Sequence, residues 1–164
     1  MQVLIRCLAA LIVASSFVVM AAPAAADPTP PVTYAPPVDA PISDPFRPPP
    51  NPYGPGNRGL EYATAFGAPV GAAADGTVTF AGVVAGKRWV TIRHADGVRT
   101  TYGPLIEVAV SAGDTVTRGQ TIGTAAGALT FTARVGEAYV DPASLFDGGP
   151  PRVRLIPEPV APTT

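Results

Sequence analysis

The sequence predicts an all-β protein built on a small antiparallel sandwich or barrel-like core, and three observations carry that prediction. Short runs such as 76–82 and 89–94 alternate β-branched or aromatic residues with small or polar ones, which is the pattern of half-buried strands. The 17 glycines are concentrated between such runs, where tight turns need them. No core segment of roughly ten residues shows the helical period of 3.6.

The core is expected to extend from residue 56 to residue 148, and its strands can be placed in order. The predicted strands are 76–82, 89–94, 98–102, 108–110, 116–122 and 129–135. Turns at Ala95-Asp96-Gly97 and Ala112-Gly113-Asp114 carry the glycine and aspartate typical of short connections between antiparallel strands.

Residues 1–26 have the composition of a secretory signal peptide. Arg6 is followed by an apolar stretch at 8–20 and by the small residues Ala24-Ala25-Ala26, which favours cleavage near Ala26 and a secreted or cell-envelope location. The apolar stretch is short for a membrane span, so the mature form is expected to have none. Because the single cysteine, Cys7, lies in this segment, the mature domain has no disulfide.

Proline marks both ends of the remaining chain. The segment 27–55 contains most of the 21 prolines, and 149–164 resembles it. Proline removes backbone donors and favours extended chain, so a disordered linker and a disordered tail are predicted around the core. Charged residues make up only 14% of the chain and the formal net charge is −1, a composition that excludes the basic surface of a nucleic-acid-binding protein.

Two sequence motifs in the core indicate a known family. Gly67-Ala68-Pro69-Val70 leads into 72–78, and 110–123 ends in a Gly-Gln-x-Ile-Gly turn. With the closing Val140-Asp141-Pro142, this ordered set resembles the β-core of the lysostaphin and LytM type of peptidoglycan endopeptidases, zinc metallopeptidase family twenty-three. The resemblance extends from about Asn57 to Pro142 and implies that family's β-fold.

The resemblance stops at the chemical positions. The family's His-x-x-x-Asp, Tyr-x-His-Leu and His-Leu-His-Phe motifs correspond here to 57–61, 102–105 and 128–131. The resemblance implies that the zinc-ligand positions are occupied by Asn57, Glu61 and Thr130, and the two other catalytic histidine positions by Pro104 and Ala128.

This set of residues does not suit zinc chemistry. A catalytic zinc ion needs about three strong protein ligands, and only Glu61 offers one; it is either a vestigial ligand or, by our preference, a surface carboxylate. We therefore predict no metal, no cofactor and no catalytic residue. The expected function is that of a secreted, catalytically inactive domain that binds peptidoglycan or regulates a cell-wall hydrolase. The alternative is an active zinc metalloendopeptidase that hydrolyses peptidoglycan cross-links, with zinc as its cofactor.

Other candidate residues have simpler interpretations. His94 is the only histidine, and its place before a hairpin turn favours bonding to nearby backbone over catalysis. Asp75 and Asp96 each precede a glycine, as turn residues do. The phrase around the 110–123 segment also resembles biotinyl and lipoyl carrier domains, but the only lysine, Lys87, lacks the flanking pattern of a modified lysine.

Overall fold

The computed structural model describes residues 31–51 and 54–147, and this part of the chain is almost entirely β-structure. Its elements are β1 Ile42–Asp44, β2 Gly59–Tyr62, β3 Phe66–Gly71, β4 Gly76–Val84, β5 Lys87–Arg93, β6 Val98–Val108, β7 Thr115–Val116, β8 Thr121–Val135, β9 Ala138–Val140 and the single-turn helix α1 Ala143–Phe146. Every strand pairing is antiparallel. The predicted all-β class is confirmed.

The longest strand, β8, organises the sheet. The main strand order is β1-β2-β8-β6-β5-β4-β7, and β3 and β9 pair with β8 as well. β6 lies along one edge of β8 over nearly its whole length, while β3, β2 and β9 share the other edge in succession. Residues on β2, β8, β6 and β5 that are far apart in sequence are therefore direct neighbours.

The two faces of the central strands differ in composition. One face is buried, and its largest side chains include Leu60, Ile92, Tyr102, Leu129 and Phe131. Burying each such side chain contributes about 1.5–3 kcal/mol, so this face supplies most of the folding free energy. The other face, called here the open face, carries Glu61, Trp89, Arg93, Thr101 and Thr130, which are partly or fully exposed, as the two-residue period of a strand requires.

Part of the proline-rich segment belongs to the domain. The segment 27–55 was expected to be a disordered linker, but within it Tyr34 and Val38 are buried in the core, and β1 pairs with β2. Proline lacks an N–H but keeps its carbonyl, and the Pro37 oxygen accepts a 2.8 Å hydrogen bond from the Gly71 N–H. The domain therefore begins before residue 56 and includes residues from the 31–51 segment.

Three predicted strands also differ from the structure. The predicted 116–122 strand is divided, because β7 ends at Val116, residues 117–120 form a turn, and β8 begins at Thr121. The predicted 129–135 strand is the end of β8, which begins at Thr121 and continues through Gly127. The predicted 108–110 strand is represented only by Val108, the last residue of β6. The proposed signal peptide, 1–26, and the whole of the 149–164 tail lie outside the described residues. Within 31–51 and 54–147, no helix is long and apolar enough to span a bilayer.

Candidate functional site

Three of the positions implied by the resemblance meet on adjacent strands. Glu61 of β2 lies opposite Thr130 of β8, and Thr130 lies opposite Gly103 of β6 on its other side. Cross-strand partners project from the same face of a sheet. The structure thus brings Glu61 and Thr130 together on the open face, and Pro104 follows Gly103, the partner of Thr130 on β6.

Asn57 is the third residue that the resemblance places at a ligand position, and both ends of its side-chain amide are bonded to the backbone. Its Nδ2 donates to the Asp44 carbonyl oxygen at 3.2 Å, and its Oδ1 accepts from the Gly59 N–H at 3.1 Å. The residue is 9% exposed. Asn57 therefore joins the end of β1 to the start of β2, and turning its amide toward a metal would cost both bonds.

Pro104 and Ala128 are the residues that the resemblance places at the two other histidine positions. Pro104 follows Gly103 through a cis peptide bond, at an irregular point of the β6–β8 register. Ala128 is exposed on β8, two residues before Thr130. Neither side chain has a donor, an acceptor or a titratable group, so neither can move a proton or stabilise an oxyanion.

The donors at this site do not fit zinc. Glu61 supplies one carboxylate and Thr130 one neutral hydroxyl, while the Asn57 amide is already hydrogen-bonded. Catalytic zinc sites use three ligands drawn from imidazole, thiolate and carboxylate groups. In the described part of the chain, no three His, Cys, Asp or Glu residues are grouped in a way that could hold a metal ion.

Aromatic side chains border the same region of the open face. Trp89 of β5 packs directly on Gly103, where an added Cβ would lie 2.5 Å from the indole ring. Phe80 of β4 lies over Gly82 and is 38% exposed. The row Glu61, Thr130, Gly103 and Trp89 therefore crosses four strands from a carboxylate to an indole. The sequence reasoning did not single out Trp89, although its place in an alternating strand was visible.

A row of threonines comes next along the strands. Thr91, Thr101 and Thr132 lie side by side on β5, β6 and β8. The Oγ1 atoms of Thr91 and Thr101 are 3.0 Å apart and share a hydrogen bond. These three residues are partly exposed, so this part of the open face offers hydroxyl groups as both donors and acceptors.

The following row is basic. Arg93, Arg99 and Arg134 occupy directly paired positions on β5, β6 and β8. Glu137 forms ion pairs with Arg99, at 2.9 Å, and with Arg134. The hydrogen bond from Arg99, followed by the positive charges of Arg134 and Arg99, holds the pKa of Glu137 below its usual value. Sequence reasoning missed this row because the three arginines are scattered along the chain.

The single histidine lies away from the open face. His94 is 4% exposed; its Nδ1 is 2.8 Å from the Asp75 carbonyl oxygen and its Nε2 is 2.7 Å from Thr100 Oγ1. It is bonded to nearby backbone, as the sequence predicts. Asp96 acts within its own turn, where its Oδ1 accepts from the Val98 N–H. Asp75 Oδ1 instead accepts from the Arg118 N–H of a distant turn.

The fold and the residue positions together define a peptidase-type β-domain of the lysostaphin and LytM class. The chain belongs to Peptidase family M23, whose family model matches residues 55–142, more than half of the 164 residues.

Curated relatives match parts of longer proteins. An uncharacterized protein of Mycobacterium tuberculosis is 35% identical over 141 aligned residues, which cover 72% of this chain and 56% of that protein. The DD-carboxypeptidase/endopeptidase Mpg of Neisseria meningitidis is 36% identical over 97 residues, which cover 54% of this chain and 22% of that protein. The chain thus spans little more than half the length of its mycobacterial relatives.

Solved structures share the fold. A zinc-containing peptidase from Vibrio cholerae superposes with a TM-score of 0.59 at 31% identity, covering 67% of this chain and 39% of the peptidase. The catalytic domain of lysostaphin from Staphylococcus simulans gives 0.58 at 24% identity, covering 66% and 92% of the two chains. A chain of the SpoIIIAH and SpoIIQ complex gives 0.59 at 23%, covering 68% and 99%. The last two similarities establish the fold alone.

Proposed function

We propose that this protein is a non-catalytic member of the M23 family that is exported, stays with the cell envelope and binds peptidoglycan through the open face. Membership of the M23 peptidase family and the 36% identity to a DD-carboxypeptidase/endopeptidase support the type of ligand. The proposed export rests on the signal-peptide pattern of residues 1–26. Loss of the metal ligands removes turnover but leaves the shape of the sheet, so binding can persist without hydrolysis.

The observation that carries the proposal is the bonding of Asn57. A ligand position in an active metallopeptidase presents its donor atom to the metal, whereas both ends of this amide bind backbone groups of β1 and β2. Only the Glu61 carboxylate then remains as a strong ligand, and one carboxylate forfeits most of the free energy of zinc binding.

The first test measures metal and turnover. The purified protein should contain far less than one zinc ion per chain by elemental analysis, and chelator should leave its melting temperature unchanged because no folding energy depends on metal. It should release no peptides from purified peptidoglycan. The combined variant Asn57→His, Glu61→Asp, Pro104→His, Ala128→His and Thr130→His serves as the positive control for zinc binding.

The second test measures binding. The unmodified protein should sediment with purified, insoluble peptidoglycan at micromolar concentration. A separate mass measurement of the protein recovered from culture should show that the mature form begins at Asp27. One zinc ion per chain together with chelator-sensitive peptide release would establish the active endopeptidase instead. If the protein does not sediment with peptidoglycan, regulation of a wall hydrolase through protein contacts would remain as the interpretation.

A further inference from the structure

The basic row of the open face, formed by Arg93, Arg99 and Arg134, is unusual for a sheet. Like charges at directly opposed cross-strand positions destabilise a strand pair, and here two successive pairs, Arg93 with Arg99 and Arg99 with Arg134, are of that kind. Three cations thus lie side by side although the formal net charge of the chain is only −1. Local conflicts of this sort concentrate at functional sites.

The positive charge of the row is only partly neutralised. Glu137 pairs with Arg99 and Arg134, which leaves three guanidinium groups facing one carboxylate. Arg93 is exposed, and its side chain makes no hydrogen bond or ion pair with any residue in 31–51 or 54–147. The Nε of Arg134 is buried and has no hydrogen-bond partner in the same part of the chain. The row therefore retains capacity for a further anion.

Part of the row is also held in position. The Arg134 guanidinium lies over the Tyr139 ring, 5.0 Å from its centroid, and Arg99 donates to the Gly136 carbonyl oxygen in addition to its ion pair with Glu137. Such contacts reduce the side-chain freedom that an arginine loses when it binds a carboxylate. Planar guanidinium groups bind carboxylates through two parallel hydrogen bonds.

The distance between Thr130, next to Glu61, and the basic row indicates the length of ligand that could contact both. Thr130, opposite Glu61, and Arg134 are four residues apart on β8, which is about 13 Å along a strand. The hydroxyls of Thr101 and Thr132 lie between them. An extended peptide of about four residues bridges that distance and can bond to the hydroxyls on the way.

We propose that Arg93, Arg99 and Arg134 bind a free carboxylate of the peptide part of peptidoglycan, while the rest of that peptide extends over the threonines toward Glu61 and Trp89. This assignment rests on the proposed binding function and specifies its chemistry: charge complementarity selects peptides that end in, or carry, an unamidated carboxylate. The arginines act as binding residues and take no part in hydrolysis.

The experiment compares two charge-matched variants in sedimentation with insoluble peptidoglycan. The test variant is Arg93→Gln with Arg99→Gln; the control is Lys87→Gln with Arg118→Gln, two exposed residues outside the row. Losing charge-assisted hydrogen bonds should raise the apparent Kd of the test variant by about tenfold or more, with little change in the control. Converting the carboxylates of the peptidoglycan to amides should weaken the unmodified protein equally and leave the test variant unaffected.

Each outcome separates this proposal from the broader one. Equal losses in both variants would show general charge attraction and would overturn the assignment, as would binding that is unaffected by amidation. Loss of binding only after hydrofluoric acid removes phosphodiester polymers would assign the row to phosphate instead. No binding by the unmodified protein would overturn the proposed function and this inference together, whereas binding that is insensitive to the arginines overturns the inference alone.

Discussion

Asn57 holds the backbone in place at a position where the family resemblance implies a metal ligand. At the position where the family resemblance implies a histidine ligand, the shorter amide reaches the Asp44 carbonyl with its donor and the Gly59 N–H with its acceptor. Gly59 in turn lies so close to β8 that an added Cβ would stand 2.4 Å from the Phe131 carbonyl oxygen. The amide thus fixes the chain where it enters a tightly packed strand.

Replacing Asn57 with aspartate separates the two roles. Asn57→Asp keeps an acceptor for the Gly59 N–H but places an oxygen against the Asp44 carbonyl, leaving a nearly buried group without a donor. The free energy of unfolding at pH 7 should fall by about 1–3 kcal/mol, as measured by urea denaturation. Asn57→Ala provides the comparison. If Asn57→Asp were neutral, or were stabilised by added zinc, the structural role would be refuted.

The hairpin between β4 and β5 has a residue poorly suited to its turn. Val84 pairs with Lys87, so Ala85 and Gly86 form a two-residue loop, with φ of 48° and 77°. Positive φ at both positions is the geometry of a type I′ turn, for which Asn-Gly is preferred. Ala85 has the only positive φ of any residue other than glycine in the described part of the chain, so the strain lies at one place.

Ala85→Asn should therefore stabilise the protein. Asparagine tolerates the left-handed region better than alanine, and relieving the strain should raise the free energy of unfolding by about 0.5–1 kcal/mol. Thermal and urea unfolding measure the change. Ala95→Asn, in an exposed turn where this residue has no positive φ, should have no comparable effect; equal gains from both substitutions would count against the strain argument.

Among the secondary-structure elements, local residue patterns predicted strands better than composition did. The β4, β5 and β6 segments were visible because β-branched residues alternate there and Asp96-Gly97 marks a turn. Residues 31–51 were misjudged because proline content indicated free chain, while the partners of Tyr34 and Val38 lie elsewhere in the sequence. β8 appeared interrupted because Gly127 and its small neighbours carry no strand preference. The strand continues past an irregularity there: Ala126 pairs with β3, Leu129 pairs with β2, and Gly127 between them has a φ of 113°.

The site itself could be located, but not completed, from sequence. The matches around 57–61 and 128–131 fixed where the family's chemistry would be, since β2 and β8 carry both segments and pair directly. The basic row depends on the register among β5, β6 and β8. Local patterns do not specify that register, because it is set by the packing of the buried face.

Across the whole molecule, one buried chain of hydrogen bonds joins separate segments. The Ala73 N–H donates to Tyr102 Oη at 2.9 Å. Around a neutral His94 ring, Tyr102 donates to Thr100 and Thr100 donates to His94 Nε2. The His94 Nδ1–H then donates to the Asp75 carbonyl. The Asp75 carbonyl oxygen can only accept, so Nδ1 carries a proton; in the neutral ring Nε2 is then the acceptor.

The N-terminal segment adds to the same region. Tyr34 Oη donates to the Asp96 carboxylate at 2.9 Å, and the Tyr34 and His94 rings meet edge to face with centroids 5.1 Å apart. Burial raises the pKa of Tyr102 to about 12, and burial followed by the Asp96 hydrogen bond also raises that of Tyr34. Neither tyrosine ionises near neutral pH, so His94 is the group of this cluster whose protonation affects stability in mild acid.

The network therefore predicts that mild acid destabilises the protein. Burial lowers the pKa of His94 below its usual 6.5, against smaller raising effects of the Asp75 carbonyl and of the Asp96 and Asp75 charges. The unfolded chain then binds a proton that the folded protein resists, so stability is complete above pH 6.5 and falls below it, by up to about 1.4 kcal/mol per pH unit. Urea denaturation between pH 7.5 and 5.5 measures this slope while avoiding most carboxylate titration. His94→Gln should be less stable at pH 7.5 but nearly independent of pH, and a slope of equal size in that variant would assign the effect to other groups.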